Sequence, residues 1–231
     1  MAIKLELAAL DSSDMGLCRR WRNDYAVWKW CRQTGPISDA EQVRWFNKQS
    51  EDPSIRMFKV LAKTDDKAAA VGVAGLTAID YMNSRAEFSL YIAPEAQGKG
   101  LGRMALALLL NHGFDNLGLN LIWGETFEGN PAADLFVSLG FVREGVRRQF
   151  YFRDGQRIGA HLFSITSGEW RERRSTLSRR GAGAEPPRAE PSGDGLVDDR
   201  NAAIYRDQAA KAAGKNRYFR GLKKVQPAAK D

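Results

Sequence analysis

Cysteine and histidine are scarce in this chain of 231 residues, with two of each. Cys18 and Cys31 form no CxxC pair and have no histidine beside them, so both read as buried or half-buried core thiols rather than metal ligands or nucleophiles. His112 and His161 are too isolated to suggest a metal site, and no metal is expected. No apolar run approaches the ~20 residues needed to cross a bilayer. The first residues alternate Ile3, Leu5 and Leu7 with Lys4 and Glu6, a strand pattern rather than a secretory signal. A cytoplasmic protein without a membrane partner is the expectation. Internal repeats are missing, and so are the two common nucleotide signatures. No Gly-rich turn ends in Gly-Lys-Ser/Thr, and no Gly-x-Gly-x-x-Gly is followed by an acidic ribose reader.

Hydrophobic residues make up 43% of the chain, enough to build a core. Charge divides unevenly. Residues 1–170 carry 20 Lys+Arg and 20 Asp+Glu, whereas residues 171–231 carry 15 and 8, so the whole net charge of +7 belongs to the last segment. The neutral stretch 1–170 reads as one domain. Residues 171–198 are rich in Arg, Gly, Pro, Ala and Ser, and burial there cannot offset ordering entropy, so a flexible linker is expected. Residues 199–231 read as a basic, partly helical tail. It interleaves Tyr218, Phe219 and Leu222 with Lys215, Arg217, Arg220, Lys223 and Lys224. That composition suits a phosphate backbone with stacked bases, which makes nucleic acid or the ribosome the partner the tail suggests.

Within the neutral domain the pattern alternates. A strand at 3–9 precedes a helix capped by Asp11-Ser12-Ser13 that reaches Asn23. Residues 25–31 are helical or irregular, and Ser38-Asp39-Ala40-Glu41 is a capping box that opens another helix. Strands are expected at 56–62, 68–79 and 85–92, the last ended by Pro94. The next helix is expected to bury Met104, Leu106, Leu109, Leu110 and Phe114. A strand at 119–127, a short helix at 132–139 and a hairpin of 141–152 with 157–166 about Asp154-Gly155 complete the domain. Strands interrupted by helices and closed by a hairpin give a mixed α/β sheet.

Between the third of these central strands and the helix after it lies Gln97-Gly98-Lys99-Gly100-Leu101-Gly102-Arg103. Glycines leave the backbone free of Cβ atoms, so successive N–H groups can approach a ligand, and the following helix adds its positive end. This is the construction of a pyrophosphate cradle. The pattern Gln/Arg-x-x-Gly-x-Gly/Ala, here Gln97, Gly100 and Gly102, resembles the acetyl-coenzyme A loop of the GNAT acyltransferases. Trp21-Arg22-Asn23-Asp24, residues 38–46 and 72–76, Ala86-Glu87 and Leu139-Gly140-Phe141 fall in the order seen in the RimJ/RimL-like branch. The resemblance spans residues 3–170 and implies a GNAT fold, a mixed, mostly antiparallel central sheet flanked by helices, with the basic segment as a C-terminal extension.

The same resemblance implies roles. Main-chain groups of Leu90, Tyr91 and Ile92 would hold the pantetheine arm and the acetyl oxygen of acetyl-CoA, the expected co-substrate. Gln97, Gly98, Lys99, Gly100, Leu101 and Gly102 would take the pyrophosphate, with Arg103 or Lys99 adding charge. Glu87, a lone acid in an apolar strand, would act as base toward the amine once partly desolvated. Asn130 matches a residue that contacts the pantetheine arm or a bound water. Many of the family place a tyrosine as general acid where this chain has Phe136, so either water, Tyr91 or Tyr151 protonates the thiolate, or the thiol forms without a dedicated acid. Tyr25, Trp28, Trp30 and His161 are candidates for the acceptor side.

The expectation is therefore an N-acetyltransferase that moves an acetyl group from acetyl-CoA to a primary amine, as a monomer or homodimer. Its acceptor is read as an amine on a protein N-terminus, a ribosomal protein or a nucleic acid, in keeping with the basic tail. One alternative is a small amine such as an amino sugar, a polyamine or an antibiotic. The other is a coenzyme A-binding, nucleic-acid-binding protein without turnover, which Phe136 and the tail motivate.

Overall fold

The computed structural model describes residues 3–65 and 67–180. Seven strands form one sheet in the order β1-β2-β3-β4-β5-β7-β6. They are β1 (Lys4–Ala9), β2 (Arg56–Lys63), β3 (Ala68–Asp80), β4 (Arg85–Ile92), β5 (Leu121–Phe127), β6 (Val142–Arg153) and β7 (Gln156–Thr166). Every neighbouring pair is antiparallel except β4 and β5. The alternating pattern implied a mixed α/β sheet, and the resemblance a mostly antiparallel one, as found. The final hairpin turns on Asp154 (φ 47°) and Gly155 (φ 75°), two left-handed residues in a row, which matches the right-handed twist of its strands.

The helices are α1 (Met15–Asn23), α2 (Tyr25–Trp28), α3 (Asp39–Glu51), α4 (Leu101–Asn111), α5 (Ala132–Leu139) and α6 (Ser167–Arg180). The capping box forms as read: Ser38 Oγ accepts from Glu41 N at 3.3 Å, and Glu41 Oε2 accepts from Ser38 N at 2.8 Å. Strand β4 shows how the two faces are used. Phe88 and Ile92 point to α4 and α5, where the Phe88 ring meets Phe136 edge-on at 5.0 Å. Glu87 and Tyr91 point to the other face, where Tyr91 meets Trp21 of α1 at 6.5 Å.

Two expectations fail. Met104 is 39% exposed, because α4 buries Leu101, Ala105, Leu106, Leu109 and Leu110. At about 100° per residue, Met104 falls outside that arc. The linker expected from residue 171 is also displaced, since α6 continues to Arg180. Its anchors are Trp170, 2% exposed with Nε1 donating to Asn111 Oδ1 at 2.9 Å, and Arg173, whose Nη2 donates to Ser138 O at 2.7 Å. The tail expected at 199–231 lies outside the described residues.

The feature that positions the site is the parting of β4 from β5. These parallel strands pair only at Arg85–Leu121, Ala86–Ile122 and Glu87–Trp123. Beyond Glu87, β4 keeps β3 as a partner through Ile92, but among the described residues its other edge has no strand. Gly124 sits at the point of divergence. A Cβ there would meet the Phe88 ring at 2.4 Å, so only glycine lets that ring lie against β5.

Candidate active site

A cleft of about 500 Å³ opens where β4 and β5 part. Leu90, Tyr91 and Ile92 line it, as do Gln97 and Gly102. At its far end the loop enters α4. Gly98 (φ 75°) and Gly100 (φ 74°) are both left-handed, and a Cβ built on either meets nothing within 4 Å. Gly100 is the N-cap of α4 and has no side-chain capping bond, so the first amides of the helix face open space. The side chains around this cradle are engaged elsewhere. Gln97 Nε2 donates to Ile92 O at 3.0 Å, Lys99 Nζ to Glu95 O at 2.7 Å, and Arg103 Nη2 to Ser138 O at 3.1 Å. Arg103 is thus turned to the end of α5 and does not add charge at the loop. Leu101 is core, 4% exposed. What the loop offers an anion is backbone.

On the other side of the parting strands lies a cluster of charges. Glu87 and Glu125 both line the cleft, with side chains 13% and 4% exposed. Arg32, in the connection between α2 and α3, bridges them: its Nη2 bonds Glu87 Oε1 and its Nε lies 3.1 Å from Glu125 Oε1. Arg147 Nη1 holds the other oxygen of Glu125 at 2.7 Å, and the Tyr151 hydroxyl donates to Glu125. Burial works against a charged Arg32, yet its pairing with the two acids outweighs this and the net shift is upward. Burial, and then the bond to Glu125, push the Tyr151 hydroxyl upward too. Arg153, at the β6–β7 turn, donates to the carbonyls of Cys31 and Gln33 and so fixes the segment that carries Arg32.

Aromatic residues close the cleft on both sides. Phe136 is 6% exposed and packs edge-on against Phe88 and Phe163, at 5.0 and 5.4 Å. Asn130 lines the cleft, but its side chain is engaged at both ends. Nδ2 donates to Thr126 Oγ1 at 2.6 Å and Oδ1 accepts from Ala132 N at 3.0 Å, which ties α5 to β5. Trp30 of the sequence-predicted acceptor residues lines the cleft. Tyr25 and Trp28 do not. Their rings meet edge-on at 5.9 Å; Tyr25 is 60% exposed, Trp28 is half-buried with Nε1 shielded and unpartnered, and Ala26 and Val27 are the α2 residues that line the cleft. His161 is likewise absent from the cleft wall. It stands on β7 against Phe163, with Nδ1 buried and unpartnered. Tyr91 lines the cleft, but its hydroxyl is buried against the Cys18 thiol of α1. Burial raises it well above its ordinary value, so it is poorly placed to protonate a thiolate.

Sequence reasoning missed Glu125, Arg32 and Arg147. Glu125 carried the same signal as Glu87, a lone carboxylate in the apolar strand Leu121–Phe127. Arg32 and Arg147 carried none, since their partners lie 55 and 22 residues away.

The residues present fit acetyl-CoA: an unpaired strand edge for an amide-bearing arm, then two left-handed glycines with open space before a helix N-terminus. Comparison with known proteins agrees. Residues 4–142 match the acetyltransferase (GNAT) domain family. An uncharacterized N-acetyltransferase p20 of Bacillus licheniformis is 30% identical over 73% of this chain and 94% of its own length. The spermidine N(1)-acetyltransferase of Vibrio cholerae is 31% identical over 68% of this chain and 89% of its own. A solved structure of the Vibrio cholerae spermidine N-acetyltransferase, in complex with CoA and spermine, aligns with a TM-score of 0.67 at 29% identity, covering 72% of this chain and 97% of that one. With this family match, a cleft built for acetyl-CoA and these relatives, the chain belongs to the GNAT family and is an acetyl-CoA-dependent N-acetyltransferase.

Proposed function

We propose that the acceptor is the primary amine of a small molecule, and that Glu87, seconded by Glu125, takes its proton. The observation that carries this reading is the pair of half-hidden carboxylates where β4 and β5 diverge, facing the same cleft as the unpaired edge of β4. Bound acetyl-CoA supplies a thioester carbonyl for attack. The protein must supply a neutral amine beside it, and two ionised carboxylates next to the entry point attract an ammonium and then accept its proton. Arg32 bridges the two acids and holds them side by side at that point. Main-chain N–H groups along 88–92 offer donors for the pantetheine arm and the carbonyl oxygen, because no strand covers that edge. Tyr151 donates to Glu125 and does not itself line the cleft, which leaves water to return a proton to the departing sulfur.

A small acceptor suits the walls. α2, the segment 29–38 pinned by Arg153 and Trp45 of α3 enclose the acceptor side. The spermidine acetyltransferases among the relatives act on small amines, which favours this reading over an amine on a protein or nucleic acid. Coenzyme A release from acetyl-CoA in the presence of a panel of amines tests it. The panel should contain polyamines, amino sugars, amino acids and an N-terminal ribosomal peptide. Turnover of a small amine with at least ten-fold higher kcat/KM than the peptide supports the reading, and preference for the peptide overturns it.

A further inference from the structure

Arg22 is the unmatched charge of the cleft. Arg32 and Arg147 are ion-paired with Glu87 and Glu125, and Arg153 donates to main-chain carbonyls. Arg22, in the last turn of α1, also lines the cleft. Among the described residues, no carboxylate lies within ion-pair distance of its guanidinium. The guanidinium lies over the Trp45 ring instead, 5.5 Å from its centroid. Such stacking holds the plane in place and leaves the N–H groups on its rim able to form a fork around an anion.

The groups around Arg22 do not neutralise it. It acts electrostatically on Cys18, Cys31 and Tyr91, and burial raises all three, so each stays protonated and uncharged near neutral pH. Trp30, Trp45 and Met57 supply apolar wall beside it. Gln33, bonded through Nε2 to Arg22 O at 2.8 Å, lines the same wall with a buried Oε1 that receives no hydrogen bond. A half-buried cation and an unfilled acceptor in one cavity are open valences for a ligand.

We infer that Arg22 binds an anionic group of the acceptor, so that the substrate is a small molecule carrying a carboxylate or a phosphate as well as its amine. The cleft then divides the work: Glu87 and Glu125 take the amine, Arg22 takes the anion, and Trp30 and Trp45 offer apolar wall to the body that joins them. A linear polycation would instead set positive charge against Arg22. This inference rests on the small-amine reading of the preceding subsection.

Matched acceptors test it on the full chain. Glucosamine 6-phosphate is compared with glucosamine, serine with serinamide, and spermidine serves as the polycation. A charge-assisted bidentate bond corresponds to a preference of about ten-fold or more in kcat/KM for the anionic member. That preference should collapse in Arg22→Ala and be partly kept in Arg22→Lys, whose charge remains but whose fork is lost. The pair that shows it distinguishes phosphate from carboxylate. An anionic member no better than its neutral partner, a preference that survives Arg22→Ala, or spermidine as the best acceptor overturns the inference.

A second measurement is independent of turnover. With coenzyme A saturating, so that the loop at Gly98 and Gly100 is filled, inorganic phosphate is titrated against tryptophan fluorescence, which reports Trp30 and Trp45. A saturable response in the wild type, weakened ten-fold or more in Arg22→Ala but less in Arg22→Lys, supports an anion site; equal responses refute it. If phosphate binds through Arg22 while no small amine is acetylated, the anion site stands and the small-amine reading falls.

Discussion

Glu87 and Glu125 share one guanidinium, that of Arg32, which is itself 52% exposed. That bridge holds the two carboxylates side by side, so Arg32→Ala should lower kcat/KM for the amine while acetyl-CoA affinity stays unchanged. An unchanged kcat/KM would show that Arg32 does not organise the pair. His161 belongs to stability instead. Burial depresses it, helped by Arg143 and opposed by Glu128. The unfolded chain takes up its proton near 6.5, and the folded chain only at lower pH, so stability falls as pH drops through 6.5 and levels off below the folded value. His112, depressed by burial and Arg56, acts in the same direction. The melting temperature should drop between pH 7.5 and 5.5, and His161→Gln should shrink that drop; an unchanged drop would contradict the assignment. Glu87 stood out in the sequence as a lone acid in an apolar strand. Arg22 was legible only as part of a motif, because its lack of a counterion is a property of the packed cleft.

The Gly-rich loop and α4 act as one element. The loop was legible because its spacing reflects backbone need: left-handed residues at 98 and 100, then a helix start. The directions of its side chains were not, since Arg103 finds Ser138 O only once α5 has packed. Open space beside Gly100 means that an added Cβ meets no protein atom within 4 Å, although a positive φ strains it by about 1 kcal/mol. Gly100→Trp should thus lower the melting temperature slightly while abolishing binding of acetyl-CoA in calorimetric titration. Retained binding would remove the loop from the cofactor site. The helix α2 shows the opposite case. Tyr25, Trp28 and Trp30 announce an aromatic patch, but a single turn does not reveal which of its faces meets the cleft. Packing leaves Tyr25 exposed and Trp28 half-buried away from the cleft lining, which Ala26 and Val27 supply instead.

At the scale of the whole molecule, the strand alternation and the final hairpin were readable from pattern, whereas the end of the domain was not. Composition changes after Trp170, yet α6 runs ten residues further because Arg173 and Arg174 reach back to Ser138, Asn111 and Asp115. Charge alone could not separate anchoring arginines from those of a tail. A chain of residues 1–180 should match the full chain in melting temperature and acetyl-CoA affinity. A chain of residues 1–171 should melt lower, for want of those bonds. Equal melting of the two would show that the end of α6 adds nothing to the fold.

The most direct test is amine-dependent release of coenzyme A by the wild type and Glu87→Gln, with acetyl-CoA affinity measured for both. The prediction is a fall in kcat of about 10²- to 10⁴-fold at unchanged acetyl-CoA affinity, because the variant keeps the cradle and loses the proton acceptor. Full turnover by Glu87→Gln would contradict the account, and would show that the amine is deprotonated somewhere other than the carboxylate pair where β4 and β5 part.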